Sequence, residues 1–561
     1  MPPPRRLGLA ALLVTVLGLA AWAGFSRAPV ARAPAVATIR LGHSLLHVGV
    51  REAFTALARD YERARAAAGD PVRIELLDVP ERAYRQWLRT QLVGGTAPDL
   101  VMLTPQEDDT LTGQYFVPLA EFIDEPNPWN AGTPLDGVRW RDTFLDGLEQ
   151  AGFNFRLAGH YAVPLSTQTL RVFANRRLIA RILAADAHTA LRARLGPAGI
   201  PRTFAEFNAL CAAARAHAAA TGEALVPMAG YGAGTAAGSP PFFDLVFSHQ
   251  TQRLGHDPAW LPRGEIQASN LNALANLLDG RVDYATPALR SGLELLRHFG
   301  RLQQPGFTQQ RREDALFLFS QQRALLTVAG APEIANFRAL IADAFELAVF
   351  PLPLPGPDDP VYGRFVDGPR SELDLAPGAT FGVVNYHPAA QRARAVDFLR
   401  YLTSHAANER FARLSGWMPC IVGARARPDT EVFLPRTEGY AGGPAHHFNH
   451  FEFRALFEHH QHLLYSETGG VDAFAAAMNP ALRETARTAL QRALRRSSQN
   501  IAQQDVLIAA NHRLATAYAG TNPAAPRRLD LMIDSAVGNE ADYHYFQRRA
   551  AAPPPPRPVA P

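Results

Sequence analysis

Three features of the sequence predict an α/β fold with a helical C-terminal region. Between Ile39 and Leu103, short apolar runs alternate with amphipathic stretches in the order strand, helix, strand, helix, strand, the pattern of parallel strands joined by crossover helices. A second set of strand and helix signals begins after Gly159. From about Glu431 the composition shifts, and apolar residues recur at helical spacing. At 561 residues the chain is long enough for several domains of roughly 100–200 residues each.

The N-terminus carries an address. Arg5 and Arg6 precede the uncharged apolar run Leu7–Phe25, and Ala21-Trp22-Ala23 offers a small-residue cleavage position, the layout of a secretory signal. The run is also long enough to span a bilayer, so residues 1–25 read as a signal peptide or a membrane anchor. Either reading places the body outside the cytoplasm. Residues 26–38, rich in Ala and Pro, read as a linker. The formal charge of +4 comes from 56 basic residues, all Arg, against 52 acidic ones. With no clustered basic stripe, it does not point to nucleic acid.

The elements follow in order. Ile39-Arg40-Leu41 is a short strand, and Val50, Phe54, Leu57 and Tyr61 then share one helical face. Val72–Val79 is a second strand, and Pro80–Val93 a second helix bearing Tyr84, Trp87 and Leu88. Gly94 and Gly95 end that helix, Pro98 fixes the turn, and Asp99–Leu103 is a third strand. Asp99 opens the strand and reads as a turn residue accepting backbone N–H bonds. His160–Leu165 is strand-like, and Val172–Ile179 leads into a helix. Thr203 and Glu206 form a capping box for a helix with Phe207, Leu210, Cys211 and Ala214 on its inner face. Pro227–Ser239 is a Gly-rich loop. Leu289–Phe299 and Arg312–Ser320 are helical, while Ala324–Val328 and Leu347–Phe350 are strands. Pro351–Pro360 breaks regular structure. Thr380–Val384 is a strand, followed by a helix marked by Ala395, Phe398, Leu399 and Leu402. Beyond 431, Phe453, Phe457 and Leu464 mark one helix, Leu482 to Ala493 a second, and Val506, Ala510, Leu514 and Ala517 a third. The Pro-rich end, 551–561, reads as a disordered tail. The two cysteines, Cys211 and Cys420, give no sign of a bridge, and Cys211 on an apolar face behaves as a small hydrophobe.

These segments, taken in order, resemble the extracellular solute-binding proteins of ABC importers, in the branch containing maltose-binding protein. YRQWLRTQLVGGTAPDLVML is similar to that family's helix, Gly-Gly-x-x-Pro-Asp and strand. HYAVPLSTQTLRVFANRRLI resembles the stretch where a strand enters the cleft and a tripeptide, here Ala174-Asn175-Arg176, opens a helix. GIPRTFAEFNAL, ALFLFSQQRALLTVAG and the span Ala379 to Cys420 ending SGWMPC resemble later family elements. There are two departures. Ala329-Gly330-Ala331-Pro332 lacks the Trp often found after that strand, and the helical extension is longer than the family core. The resemblance implies a two-lobed periplasmic binding protein fold of type II, each lobe a mixed sheet flanked by helices. It assigns 39–150 plus 312–365 to lobe 1 and 155–310 plus 370–430 to lobe 2, with 431–545 packed on lobe 2.

In open α/β sheets ligands sit beyond the carboxyl ends of the strands. That rule makes Asp99 structural and selects Thr104 and Gln106 after the third strand. It also selects His43 and Ser44 after the first, Ser166, Thr167 and Gln168 after VPL, and Tyr231 in the Gly-rich loop. Trp417 lies near the last lobe crossing that the resemblance implies. Hydroxyls, amides and aromatic faces suit a sugar. Each has a plainer reading: Trp417 as core, His43 bonding a loop carbonyl.

No other chemistry has a comparable signal. His446, His447 and His450, then His459, His460 and His462, form a cluster without HExxH spacing, which reads as a solvated helical face with no metal. No nucleotide loop, Gly-x-Ser-x-Gly or CxxC pair is present. The expected protein is a non-enzymatic, extracytoplasmic binding component without cofactor. It would hold a mono- or oligosaccharide and work with an ABC permease, touching the membrane only through an N-terminal anchor. A membrane-anchored sensor and an exported carbohydrate-active enzyme are the alternatives.

Overall fold

The computed structural model describes residues 36–45, 47, 49–103, 109–149, 153–154, 159–232, 243–255, 270–373, 377–443, 451–517 and 524–551. The signal or anchor at 1–25, most of the linker and the tail beyond Ala551 lie outside these residues. Strand β1 (Ala37–His43) leads to α1 (Val50–Ala67), β2 (Val72–Asp78), α2 (Glu81–Val93) and β3 (Leu100–Leu103). Helices α3 (Asp109–Tyr115) and α4 (Ala120–Ile123) precede β4 (Val163–Thr167). The chain then enters a second body: β5 (Leu170–Asn175), α5 (Arg176–Leu183), α6 (Phe204–Thr221), β6 (Val226–Ala229), α7 (Phe243–Gln250), α8 (Asn270–Leu278) and α9 (Pro287–Arg301). It continues through α10 (Arg312–Ser320), β7 (Ala324–Gly330), α11 (Glu333–Ile341) and β8 (Leu347–Phe350). It returns through β9 (Pro377–Val383), α12 (Ala389–Leu402) and α13 (His405–Ser415), and ends in α14 (Phe451–Tyr465), α15 (Val471–Ala517) and α16 (Ala524–Ala551).

Two main sheets result. The first has the order β2-β1-β3-β9-β4 and the second β8-β5-β7-β6. Parallel pairing of β1 with β2 and β3 builds one side of the first sheet, and antiparallel β9 closes the other. Each sheet has its own apolar core. Local chemistry sets the elements. Gly42 is small because a Cβ there would lie 2.9 Å from the Trp87 ring and 3.1 Å from Pro98, so a side chain would push α2 off β1. Tyr84 of α2 donates its hydroxyl to the Gly42 (3.1 Å) and Met102 (2.9 Å) carbonyls, fixing the helix against both strands. Asn175 caps α5 through the Leu178 N–H, and the Thr203–Glu206 capping box opens α6. Asp99 is buried, and it accepts the Arg40 N–H from the neighbouring strand at 2.8 Å and the Gln391 amide at 3.0 Å. It braces two elements instead of its own turn. Cys211 and Cys420 are both free and buried, one in each lobe's core.

The division into lobes differs from the expectation. β7 and β8, expected in lobe 1 within 312–365, complete the second sheet, where β7 pairs with β5 and β6 and β8 pairs with β5. β9, expected in lobe 2 within 370–430, lies between β3 and β4 of the first sheet. α12 and α13 pack into that first core. β4, placed with lobe 2 in 155–310, also belongs to the first sheet. The reason is that strand partners are chosen by hydrogen bonds to distant segments, such as Phe350 opposite Val172 and Thr380 opposite Leu103, which local periodicity does not encode. The core of the second lobe also takes in α14, α15 and Phe546 of α16.

The described chain therefore passes between the sheets three times, at 168–169, after 351 and at 416–434. Arg171 ties the three passages together. Its guanidinium forms a bidentate pair with Glu372 (2.8 and 3.0 Å) and donates to the Val432 (2.6 Å) and Leu434 (2.9 Å) carbonyls. Thr169 adds a hydrogen bond to the Phe433 carbonyl at 2.6 Å. Breaking a buried ion pair by removing one partner is strongly destabilising. Arg171→Met should cost about 3 kcal/mol in urea unfolding; a loss below about 1 kcal/mol would show that the crossings hold without it.

His249 of α7 donates its Nε2–H to the Pro355 carbonyl of the second crossing at 2.8 Å, and burial pushes its pKa down to about 4. An unfolded histidine titrates near 6.5, so the unfolded chain takes the proton first. The stability tied to neutral His249 is complete above pH ~6.5 and is lost as pH falls toward about 4. His249→Asn should flatten the stability profile in that window, measured by denaturant midpoints at successive pH values.

Candidate functional site

The strands' carboxyl ends bring two sets of side chains together, one on each sheet. On the first lobe, the loop after β1 carries His47, whose ring meets Trp417 edge-on with centroids 5.4 Å apart. Trp417 is 2% exposed in the first core, and its indole N–H has no hydrogen-bond partner among the described residues. His47 Nδ1 is likewise without one. On the second lobe, Tyr231 follows β6, Arg312 opens α10 and Glu333 opens α11 just after β7.

Arg312 and Glu333 form an ion pair at 2.6 Å, and Asn336 donates to the other carboxylate oxygen at 2.9 Å. Glu333 is buried and sits in the first turn of its helix, where the helix dipole favours a carboxylate. The fields of the two sets overlap. Burial depresses the His47 pKa most, Glu333 raises it and Arg312 lowers it. Burial raises Tyr231 to about 12, with Arg312 and Glu333 acting on it in opposite directions. Tyr231, Ala331 and Met418 belong to one buried cluster with Phe173 and Phe433, which brings the third crossing beside the β6 and β7 ends. The arrangement is a polar, aromatic-walled site with side chains from both lobes.

Backbone placement is exacting at Gly230. Gln304 clamps it, accepting its N–H at 3.0 Å and donating to its carbonyl at 2.6 Å. A Cβ there would fall 1.4 Å from Gln303 Oε1 and 2.2 Å from its Cδ. Tyr231 is aimed by this clamp. Gly230→Ala should lose about 1–3 kcal/mol of stability through overpacking, seen as a lowered Tm with a raised Tyr231 exposure to iodide quenching.

The sequence candidates fall in several places. His43 ends β1, stacked on Phe54 at 4.8 Å, with Nδ1 accepting the Leu45 N–H at 3.2 Å and Nε2 3.2 Å from Asp78. Its nitrogens face protein groups, and burial lowers its pKa, so it shapes the loop that presents His47. Ser44 is buried beside it. Ser166 is buried in β4, its hydroxyl without a partner among the described residues. Thr167 donates its N–H to the Met418 carbonyl at 3.1 Å, joining the first and third crossings. Gln168 is exposed. Thr104 and Gln106 lie outside the described residues, as do His446, His447 and His450. His459 and His462 are exposed on α14. His47, Arg312 and Glu333 were missed. The strand-end rule that selected Thr104 also selects Glu333 when applied to the strand Ala324–Gly330; His47 and Arg312 carry no comparable mark.

Surface concavities of about 490 to 600 Å³ lie elsewhere, among Glu223–Val226 and α10, along α1, and beside the prolines of the second crossing. The first two are lined from a single lobe, whereas the Trp417–Glu333 site draws on both.

Known proteins agree with this architecture. RafE of Streptococcus pneumoniae in its apo form has a TM-score of 0.51 at 14% identity, covering 80% of this chain and 98% of its own. A probable secreted solute-binding lipoprotein of Streptomyces coelicolor gives 0.51 at 16% identity, covering 80% and 98%. Among curated protein sequences there was no match. The family model for bacterial extracellular solute-binding proteins matches residues 56–432. With that match spanning most of a two-lobed α/β chain, the protein belongs to the bacterial extracellular solute-binding protein family.

Proposed function

We propose that this protein captures a small sugar between its lobes and delivers it to an ABC permease on the outer side of the membrane. The observation that carries the reading is the unpartnered indole N–H of Trp417 beside His47, a ring that feels the charges of Arg312 and Glu333 on the other lobe. Buried polar atoms without partners cost free energy, and a solute hydroxyl supplies what they lack. Aromatic walls with a few convergent polar groups are the composition of a small-molecule site. RafE, similar in fold, has also been solved in complex with raffinose. Family membership supports an extracytoplasmic setting, with residues 1–25 acting as signal or anchor. Closure needs only a solute that binds the closed form better.

Calorimetry with a panel of mono- and oligosaccharides tests this. At least one sugar should bind with micromolar affinity, about −8 kcal/mol. Trp417→Phe keeps an aromatic face and removes the N–H; it should weaken binding about tenfold and, because the buried indole is truncated, lower Tm as well. Heat signals only with peptides or polyamines would overturn the sugar assignment.

A further inference from the structure

The C-terminal helical hairpin is rooted in one lobe and reaches the other. α15 has 47 residues, a length of roughly 70 Å at the α-helical rise. A body of the second lobe's size is only about 40 Å across, so the helix must run past it. Its first half is sunk into the second lobe's core through Phe474, Met478, Leu482, Ala486 and Leu490, and Phe546 of α16 joins them. Arg549 fastens the far end of α16 to Asn276 at 2.7 Å and to Asp279. The distal half leaves that core. There Gln504 and Asn539 join α15 to α16 at 3.1 Å, and Ala515 packs on Leu529. α15 approaches α3 and α16 approaches α4, both on the first lobe, with Cα atoms within 8 Å. Leu507 of α15 packs, half-buried, against the first lobe's core. α3 is the helix that follows the carboxyl end of β3, so the hairpin lands on the element that continues the first lobe's cleft edge.

We infer that this hairpin is a strap limiting how far the lobes separate. It is a second link between them, independent of the three covalent crossings. The two ends differ in strength: several large side chains are fully buried on the second lobe, against a half-buried leucine on the first. Wide opening therefore breaks the Leu507 contact and leaves the root intact, and the strap travels with the second lobe.

The test is a lobe-to-lobe distance distribution in the full chain without ligand, so that its outcome is independent of which solute binds. Spin labels at Glu75→Cys on β2 and Ala184→Cys after α5 place one exposed probe on each lobe, while both native cysteines are buried. Leu507→Asp should shift the distribution to longer distances, raising the ratio of wide to narrow separations about tenfold. Val506→Asp, at a neighbouring position that is 69% exposed, should leave it unchanged. Leu507→Ala gives a smaller shift in the same direction and replaces the aspartate variant if that does not fold. An unchanged distribution in the Leu507 variants, with α15 still protected from hydrogen exchange, would overturn the strap, as would equal shifts from Val506→Asp.

Discussion

The architecture turns on one guanidinium. Arg171 stands at the start of β5, where the chain first leaves the first sheet, and it holds Glu372 of the second passage and the 432–434 backbone of the third. A planar fork with five donors can satisfy a carboxylate and two carbonyls at once; a lysine would reach one of them. Because all three passages meet at this residue, the lobes share a single fulcrum. The first and third passages meet again where Thr167 donates its N–H to the Met418 carbonyl, next to the buried Trp417.

Around the fulcrum, the site follows from how strands end. β1, β6 and β7 each deliver a short segment at the carboxyl edge, and each segment is held by something specific. His43 bonds within its own loop, Gln304 clamps Gly230, and Glu333 occupies a helix N-terminus beside Arg312. Rigid presentation of a few polar groups is what lets a binding protein discriminate among solutes. The hairpin of α15 and α16 adds a second constraint on the same motion, from outside the family core.

Much of this was legible in the residues. Arg312–Ser320 and Leu347–Phe350 have the bounds that periodicity gives them, and the Thr203–Glu206 box and the helix opened by Asn175 are local chemistry. Sheet membership was not legible. β7, β8 and β9 are apolar runs of similar character, and their lobes are decided by partners more than 100 residues away for several pairs, as in Val349 opposite Phe173. Site residues divide the same way. Tyr231 could be singled out from the sequence because a Gly-rich loop marks it, whereas His47 lies in an unremarkable loop and draws notice only when folding brings Trp417 against it. Asp99 looked like a turn residue because the strand that it braces, β1, is about 60 residues upstream.

In the proposed function the solute is held between the lobes, by both of them. A crystal structure of the protein with a bound solute tests it most directly. Density should contact the Trp417 indole nitrogen on one side and Tyr231, Arg312 or Glu333 on the other. Density confined to one lobe, or lodged against the prolines of the second crossing, would contradict it.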